Sequence, residues 1–230
     1  MKNETSNYYF PGGAGSFDFR LPTKIIFGEG TLGRLGSEIK QLHGSRALIV
    51  TSAGMPGRQP MKVIISCLDQ AGINYKVFSS ITPDPSMDDV NGCLEFINKI
   101  KPDFIVGLGG GSAMDVAKKL AMEIAVPKIM IPTTAGSGSE VTQNSVIKVD
   151  GRKKTFSDLK LAADAAIIDP DLLITLPAAP MVCSALDAMA HAVESFGARK
   201  GNSLARALAL EAYLLVKNNI RLALSGEAEG

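Results

Sequence analysis

Three groups of residues in this 230-residue chain have types and spacings that could do chemistry. The first is Phe104-Ile-Val-Gly-Leu-Gly-Gly-Gly-Ser112, where an apolar run passes into Gly109, Gly110 and Gly111 and then into a helical pattern up to Lys119. Without a Cβ in the turn, a ligand can approach the backbone and positive φ costs little. The first N–H groups of the following helix have no intrahelical partner and carry the positive end of its dipole, so the turn suits a phosphate. A tight strand-to-helix turn with no ligand would also account for the glycines. The order is not the Rossmann fingerprint, since Ser112 stands where the third glycine would, and it lacks the Lys-Ser/Thr ending of a P-loop. Ser112 is expected to cap the helix, with Asp115 reaching back in a capping box.

The second group is Pro132-Thr-Thr-Ala-Gly-Ser137, which follows the apolar run Ile129-Met-Ile131. Its hydroxyls and glycines suit hydrogen bonding to phosphate and ribose, or simply a polar loop closing on a turn at Ser137 to Thr142. The third is Asp187-Ala-Met-Ala-His191, which sets a carboxylate and an imidazole on one helix face. Two donors at i, i+4 commonly begin a divalent metal site. Glu194 lies close enough to orient the imidazole or join the shell, and an Asp–His pair without metal is the other reading.

These groups need elements to hold them. Phe17 to Leu21 and Lys24 to Phe27 read as two short strands in a hairpin-like entry, and Thr31 as the cap of a helix carrying Leu32, Leu35, Ile39 and Leu42. Ala47 to Val50 is a buried strand, followed by helix from Pro60 to Ala71, strand from Asn74 to Phe78 and helix from Met87 to Ile100. This alternation predicts an α/β fold with a doubly wound, mostly parallel sheet, whose ligands bind at the carboxyl ends of the strands. Four loops would share that rim: 51–54, 82–85, 109–112 and 132–137. Beyond them come a hairpin turning at Asp150-Gly151, a buried strand from Ala165 to Ile168 stopped by Asp169-Pro170, and two helices, Pro180 to Phe196 and Ser203 to Leu222. We therefore divide the chain into an α/β domain, 1–170, and the start of an all-helical domain, 171–230. Residues 1–16 read as a mobile arm and 225–230 as a frayed end.

Composition bounds the function. With 46% apolar residues and a formal charge of +1, the chain has no basic excess to suggest nucleic acid. No window approaches the roughly 18 apolar residues of a membrane helix, and the start lacks a secretory apolar core, so a cytoplasmic protein is expected. Cys67, Cys93 and Cys183 lie far apart in helical patterns and are expected to be buried free thiols.

Taken in order, Leu21-Pro-Thr-Lys-Ile-Ile-Phe-Gly-Glu-Gly30, Gly109-Gly-Gly-Ser-x-x-Asp-x-Ala-Lys118, Pro132-Thr-Thr-Ala-Gly-Ser-Gly-Ser-Glu-Val-Thr142, Asp169-Pro170, Leu176-Pro177 and Asp187-Ala-x-x-His191 resemble the iron-containing (group III) alcohol dehydrogenases over nearly the whole chain. The resemblance implies a dehydroquinate synthase-like fold and an oxidoreductase that interconverts an alcohol and an aldehyde or ketone, with NAD(P) and a divalent metal in the cleft between two domains. It implies Fe2+ as the metal, with Zn2+ as the alternative, a small alcohol or aldehyde substrate, and a homo-oligomer. By position, Gly110, Gly111 and Ser112 would hold the pyrophosphate, with Thr133, Thr134 and Ser137 nearby and Lys153 beside the cofactor. Asp187 and His191 would be the first two of four metal ligands.

The chain departs from the family at Asp84, where Asn is usual beside the cofactor, and at Ala163, where Pro is usual. It has two histidines, and His43 lies in the first domain, so the later histidine ligands are missing. An amino-terminal portion of such a dehydrogenase is the leading expectation, and this portion alone should be a feeble catalyst. A metal-independent reductase of the maleylacetate type and a dinucleotide-binding module without turnover are the alternatives.

NAD-specific members of the family typically carry Asp where this chain has Ser52. With no carboxylate to repel a 2′-phosphate, and with Arg58 nearby in sequence, NADPH should bind at least as well as NADH. Ser52→Asp should shift preference toward NADH by on the order of 1–3 kcal/mol, the scale of a coupling between charged groups. Parallel fluorescence titrations with the two nucleotides check this, and a strong native preference for NADH would contradict it.

Overall fold

A computed structural model describes residues 16–199 and 201–225. The arm expected at 1–16 and the end expected at 225–230 lie almost wholly outside the described residues. Residues Leu21–Ser184 form one compact unit, and the described residues of Ala185–Gly230 group with residues 16–20 in a second.

The first unit is built on a six-stranded sheet of β1 (Lys24–Phe27), β2 (Arg46–Ser52), β3 (Asn74–Ile81), β4 (Phe104–Gly109), β5 (Lys128–Pro132) and β8 (Ala165–Ile168), in the order β1-β8-β5-β4-β2-β3. Every neighbouring pair is parallel. Helices α1 (Leu35–Gln41), α2 (Gln59–Ala71), α3 (Met87–Ile100) and α4 (Gly111–Glu123) make the crossovers. β6 (Asn144–Val149) and β7 (Arg152–Ser157) form a separate antiparallel hairpin. Its turn residues Asp150 and Gly151 have φ of 50° and 74°, the two positive values that a type I′ turn requires.

Both faces of the sheet are covered, which is why its strands read as continuous apolar runs. Ala47, Ile49, Val106, Leu108, Ile129 and Ile131 pack with Leu35 and Ile39 of α1 and Met61, Ile64 and Leu68 of α2. The alternate residues Leu48, Val50, Ile105 and Met130 pack with Val90, Cys93 and Ile97 of α3 and Met114, Ala117 and Leu120 of α4. The helices that follow neighbouring β2 and β4 therefore leave on opposite faces. That divergence is the topological switch point of a doubly wound sheet, the usual place for a ligand crevice.

The entry differs from the sequence expectation. Residues 16–22 form no strand, and β1 pairs with β8 rather than in a hairpin. Thr31 opens a short 3-10 turn, Thr31–Arg34, whose cap position is Gly30 in the left-handed region. The Thr31 hydroxyl donates to the Gly28 carbonyl at 2.7 Å instead of capping. Only Cys93 is a buried thiol, pushed up to about 12 by burial, whereas Cys67 is partly covered and Cys183 exposed. α2 and α3 span 59–71 and 87–100 almost as expected because their ends are written locally, by Gly72 in the left-handed region for α2 and by the Ser86–Asp89 capping box for α3.

The second unit contains most of α5 (Ala178–Gly197), which begins in the first unit, and all of α6 (Ser203–Ser225). Leu186, Val193 and Phe196 on α5 and Leu204, Leu208 and Leu215 on α6 are exposed. No helix among the described residues is long and apolar enough to cross a membrane.

Gly107 sits inside β4 and serves packing rather than a ligand. A Cβ there would lie 2.5 Å from the Met130 sulfur and 2.8 Å from the Ala117 Cβ. Gly107→Ala should destabilise the fold by about 1–3 kcal/mol through overpacking. A lowered urea midpoint at unchanged slope checks this, and an unchanged midpoint would contradict it.

Candidate functional site

Register brings three of the four rim segments together. Val50 is level with Gly107, and Gly109 with Pro132, so the ends of β2, β4 and β5 lie side by side. The Thr51 hydroxyl donates to the Leu108 carbonyl at 2.8 Å, and the Thr133 N–H donates to the Gly109 carbonyl at 3.0 Å. Gly109 turns with φ of 140°, a conformation that L side chains rarely adopt. Gly110 is extended and occupies the cap position of α4, with no side chain bonding to the helix start.

This corrects the expected cap. Ser112 lies inside the first turn of α4, and Asp115 points elsewhere: its carboxylate accepts from the Ser139 hydroxyl at 2.5 Å and from the Val146 N–H at 2.9 Å. Among the described residues no side chain accepts from the first N–H groups of α4, which have no intrahelical partner either. The hydroxyl loop packs against Gly110 and Gly111. A Cβ on Gly110 would stand 3.3 Å from the Thr134 Oγ1, and one on Gly111 would stand 3.0 Å from the Ser137 Oγ. The predicted turn after Ser137 is a 3-10 segment, Ser139–Val141.

Lys118 was legible in the sequence only as part of a motif. Its side chain is fully buried, and its ammonium donates to the carbonyls of Ser139, at 2.8 Å, and Asn144, and lies 3.2 Å from the Asp115 Oδ1. Burial lowers the Lys118 pKa, with the Asp115 charge pulling it back up. Burial also pushes the neighbouring Glu140 carboxyl up, against the pull of Lys118. The available sequence signal was a lysine three residues after Asp115, among the apolar residues Met114, Val116, Ala117 and Leu120.

Two of the remaining predicted residues meet. The Lys148 N–H donates to the Pro85 carbonyl at 2.7 Å and thereby fastens the β6–β7 hairpin to the loop after β3. Lys153 on that hairpin lies 2.7 Å from the Asp84 carboxylate, and Lys148 lies 3.5 Å away. Asp84, at φ of 54°, is exposed, and the bond and charge of Lys153 hold its carboxyl below the usual Asp range. Ser52 ends β2, half-buried, and Arg58 is exposed just before α2.

In the second unit, His191 Nε2 lies 3.4 Å from the Asp187 carboxylate on the exposed face of α5. Glu194 does not join them: no group of three or more His, Cys, Asp or Glu able to hold a metal occurs among the described residues. For a divalent metal the donors thus fit in kind but not in number. For a dinucleotide the glycine turn fits in chemistry, since it offers N–H groups at a helix start with the Thr134 and Ser137 hydroxyls packed beside Gly110 and Gly111.

A doubly wound parallel sheet with a glycine turn at its switch point defines the class of fold. More narrowly, the chain belongs to the iron-containing alcohol dehydrogenase family, whose model matches residues 22–170. It is 34% identical over 221 residues to the sulfoacetaldehyde reductase of Bilophila wadsworthia, covering 87% of this chain and 57% of that protein. Among solved structures it superposes on a 1,3-propanediol oxidoreductase with a TM-score of 0.89 at 28% identity, covering 93% of this chain and 62% of the other. A sulfoacetaldehyde reductase from Bifidobacterium kashiwanohense, solved in complex with NAD+, gives a TM-score of 0.87 at 27% identity over 92% of this chain and 61% of its own. The chain thus spans about three fifths of the length of these relatives.

The Asp84–Lys153 pair makes a pH prediction. A carboxyl whose folded pKa is depressed contributes stability above its unfolded pKa and loses it as pH falls through the folded value. An NMR titration should therefore place the Asp84 midpoint below that of an ordinary Asp, and Lys153→Ala should move it back up. A midpoint unmoved by that substitution would contradict the pairing.

Proposed function

We propose that this chain carries the dinucleotide half of an NAD(P)-dependent oxidoreductase that interconverts a small alcohol and its aldehyde or ketone. The observation that carries the reading is the uncapped start of α4 at the switch point, facing the hydroxyls of Thr134 and Ser137. On this reading residues 1–170 bind the cofactor and 171–230 begin a helical metal and substrate domain. The setting is cytoplasmic and the protein a homo-oligomer. NADP is slightly favoured over NAD, because Ser52 brings no negative charge to the end of β2.

The residues take separate roles. Backbone N–H groups of Gly111 and Ser112 donate to the pyrophosphate, and the dipole of α4 adds a favourable field there. Gly110 keeps the approach clear of side-chain atoms. Thr133, Thr134 and Ser137 border the same rim and supply hydroxyls to the phosphates and ribose. Lys153, held by Asp84, places a positive charge beside the cofactor at the end of the hairpin. When bound, the nicotinamide supplies hydride transfer. Asp187 and His191 are two donors toward a divalent metal, Fe2+ on the family's pattern or Zn2+, and they do not complete a site by themselves.

Gly110→Asp would set a carboxylate and a Cβ where the pyrophosphate sits, and should abolish NADPH binding. Titration of NADPH fluorescence against the variant and the unaltered chain tests this, with far-UV circular dichroism to verify the fold. Unchanged affinity in a folded variant would overturn the reading.

A further inference from the structure

The hydroxyl loop can serve a ligand only if its hydroxyls stand in register with the start of α4. The loop is bent and polar, with Ala135 exposed and Thr134, Gly136 and Ser137 half-buried, and Gly136 lies so close to Ser184 that a Cβ there would stand 2.7 Å from the Ser184 carbonyl oxygen. Its upstream end is held by the Thr133 N–H on the Gly109 carbonyl. Its downstream end is held by one turn of α4. Asp115 and Lys118, three residues apart on the same buried face, reach six backbone and side-chain groups between Ser139 and Val146.

The bonds are specific. Asp115 Oδ1 accepts from the Ser139 hydroxyl at 2.5 Å, its Oδ2 from the Val146 N–H at 2.9 Å, and its main-chain carbonyl from the Ser145 hydroxyl at 2.9 Å. The Lys118 ammonium donates to the Ser139 and Asn144 carbonyls and approaches the Thr142 hydroxyl at 3.5 Å. The Ser139 N–H in turn donates to the Ser137 Oγ at 3.3 Å, which carries the constraint into the rim itself. A buried ammonium cannot trade these acceptors for water, so the loop has one low-energy seat.

We propose that Asp115 and Lys118 are positioning residues for dinucleotide binding, clasping the 139–146 segment so that Thr134 and Ser137 stand opposite the free N–H groups of α4. The inference rests on the cofactor reading above. Neither side chain touches the nucleotide; both act through the loop.

The test uses the full chain and its variants Asp115→Asn, Lys118→Met and Ser139→Ala. A control, Glu38→Gln, disturbs a different charge network, in which the buried Glu38 of α1 holds Lys24 of β1 at 2.6 Å and Arg34 at 3.0 Å. Two readouts are taken well below the melting temperature: the NADPH dissociation constant, and amide hydrogen exchange without nucleotide. Asp115→Asn and Lys118→Met should weaken NADPH at least about tenfold, the scale of losing a hydrogen bond to a charged group. Ser139→Ala should weaken it less. In each, exchange should quicken at 134–142 while β2 and β3 stay protected, a local pattern that general destabilisation would not produce.

Glu38→Gln should leave the affinity unchanged. Wild-type affinity in Asp115→Asn and Lys118→Met, or an equal loss in Glu38→Gln, would overturn the proposal. If Lys118→Met does not fold, Asp115→Asn and Ser139→Ala decide by the same criteria. Failure of the unaltered chain to bind NADPH would overturn the cofactor reading, and this inference with it, before any variant is compared.

Discussion

When every strand of a sheet runs the same way, each connection must cross back over a face, and every strand then ends at one rim. That constraint governs the first unit of this molecule. It brings the ends of β2, β4 and β5 level with one another and places the start of α4 among them. It also demands apolar side chains on both faces of each inner strand, so Leu48 and Ile49, or Ile105 and Val106, are both fully buried though they point in opposite directions. Reversal of strand order between β2 and β4 makes that rim a topological switch point, where the Thr134 and Ser137 side chains pack against Gly110 and Gly111.

A rim of loops is not rigid by topology alone. Here three kinds of contact hold it: a hydroxyl–carbonyl bond between β2 and β4 through Thr51, the hairpin fastened to the loop after β3 through Lys148, and the buried pair Asp115 and Lys118 under the hydroxyl loop. The last places the greatest demand on its surroundings. An ammonium removed from water is tolerable only with its charge offset and its protons placed, and burial lowers the Lys118 pKa even with Asp115 beside it. The loop that satisfies Lys118 is therefore held to one conformation by the same bonds.

Much of this was legible in the residues, for local reasons. Short apolar runs alternating with 3.6-period patterns were enough for the doubly wound sheet. Asp150-Gly151 announced its own turn. What escaped was decided by distant partners. Residues 17–21 alternate like a strand but pair with no strand among the described residues, while Lys24–Phe27 has β8. Asp115 has the spacing of a cap from Ser112, yet a helix that starts at Gly111 leaves Ser112 past the cap position and frees Asp115 for Ser139 and Val146. Asp169 reads as a simple strand stop, but its carboxylate also accepts from the N–H groups of Gly30 and Leu32, 139 and 137 residues away, and so ties β8 to the turn after β1. Glu194 has the spacing of a third donor, but no cluster of three donors forms among the described residues.

The central claim is that a nucleotide's pyrophosphate seats on the open start of α4, between the glycine turn and the hydroxyl loop. Chemical-shift mapping of the labelled chain during NADPH titration measures it most directly. The expected result is saturable shifts, largest at the amides of Gly110 to Ala113 and of Thr133 to Ser137, with β1 and α1 unmoved. Saturable shifts concentrated elsewhere, with those two segments silent, would contradict it.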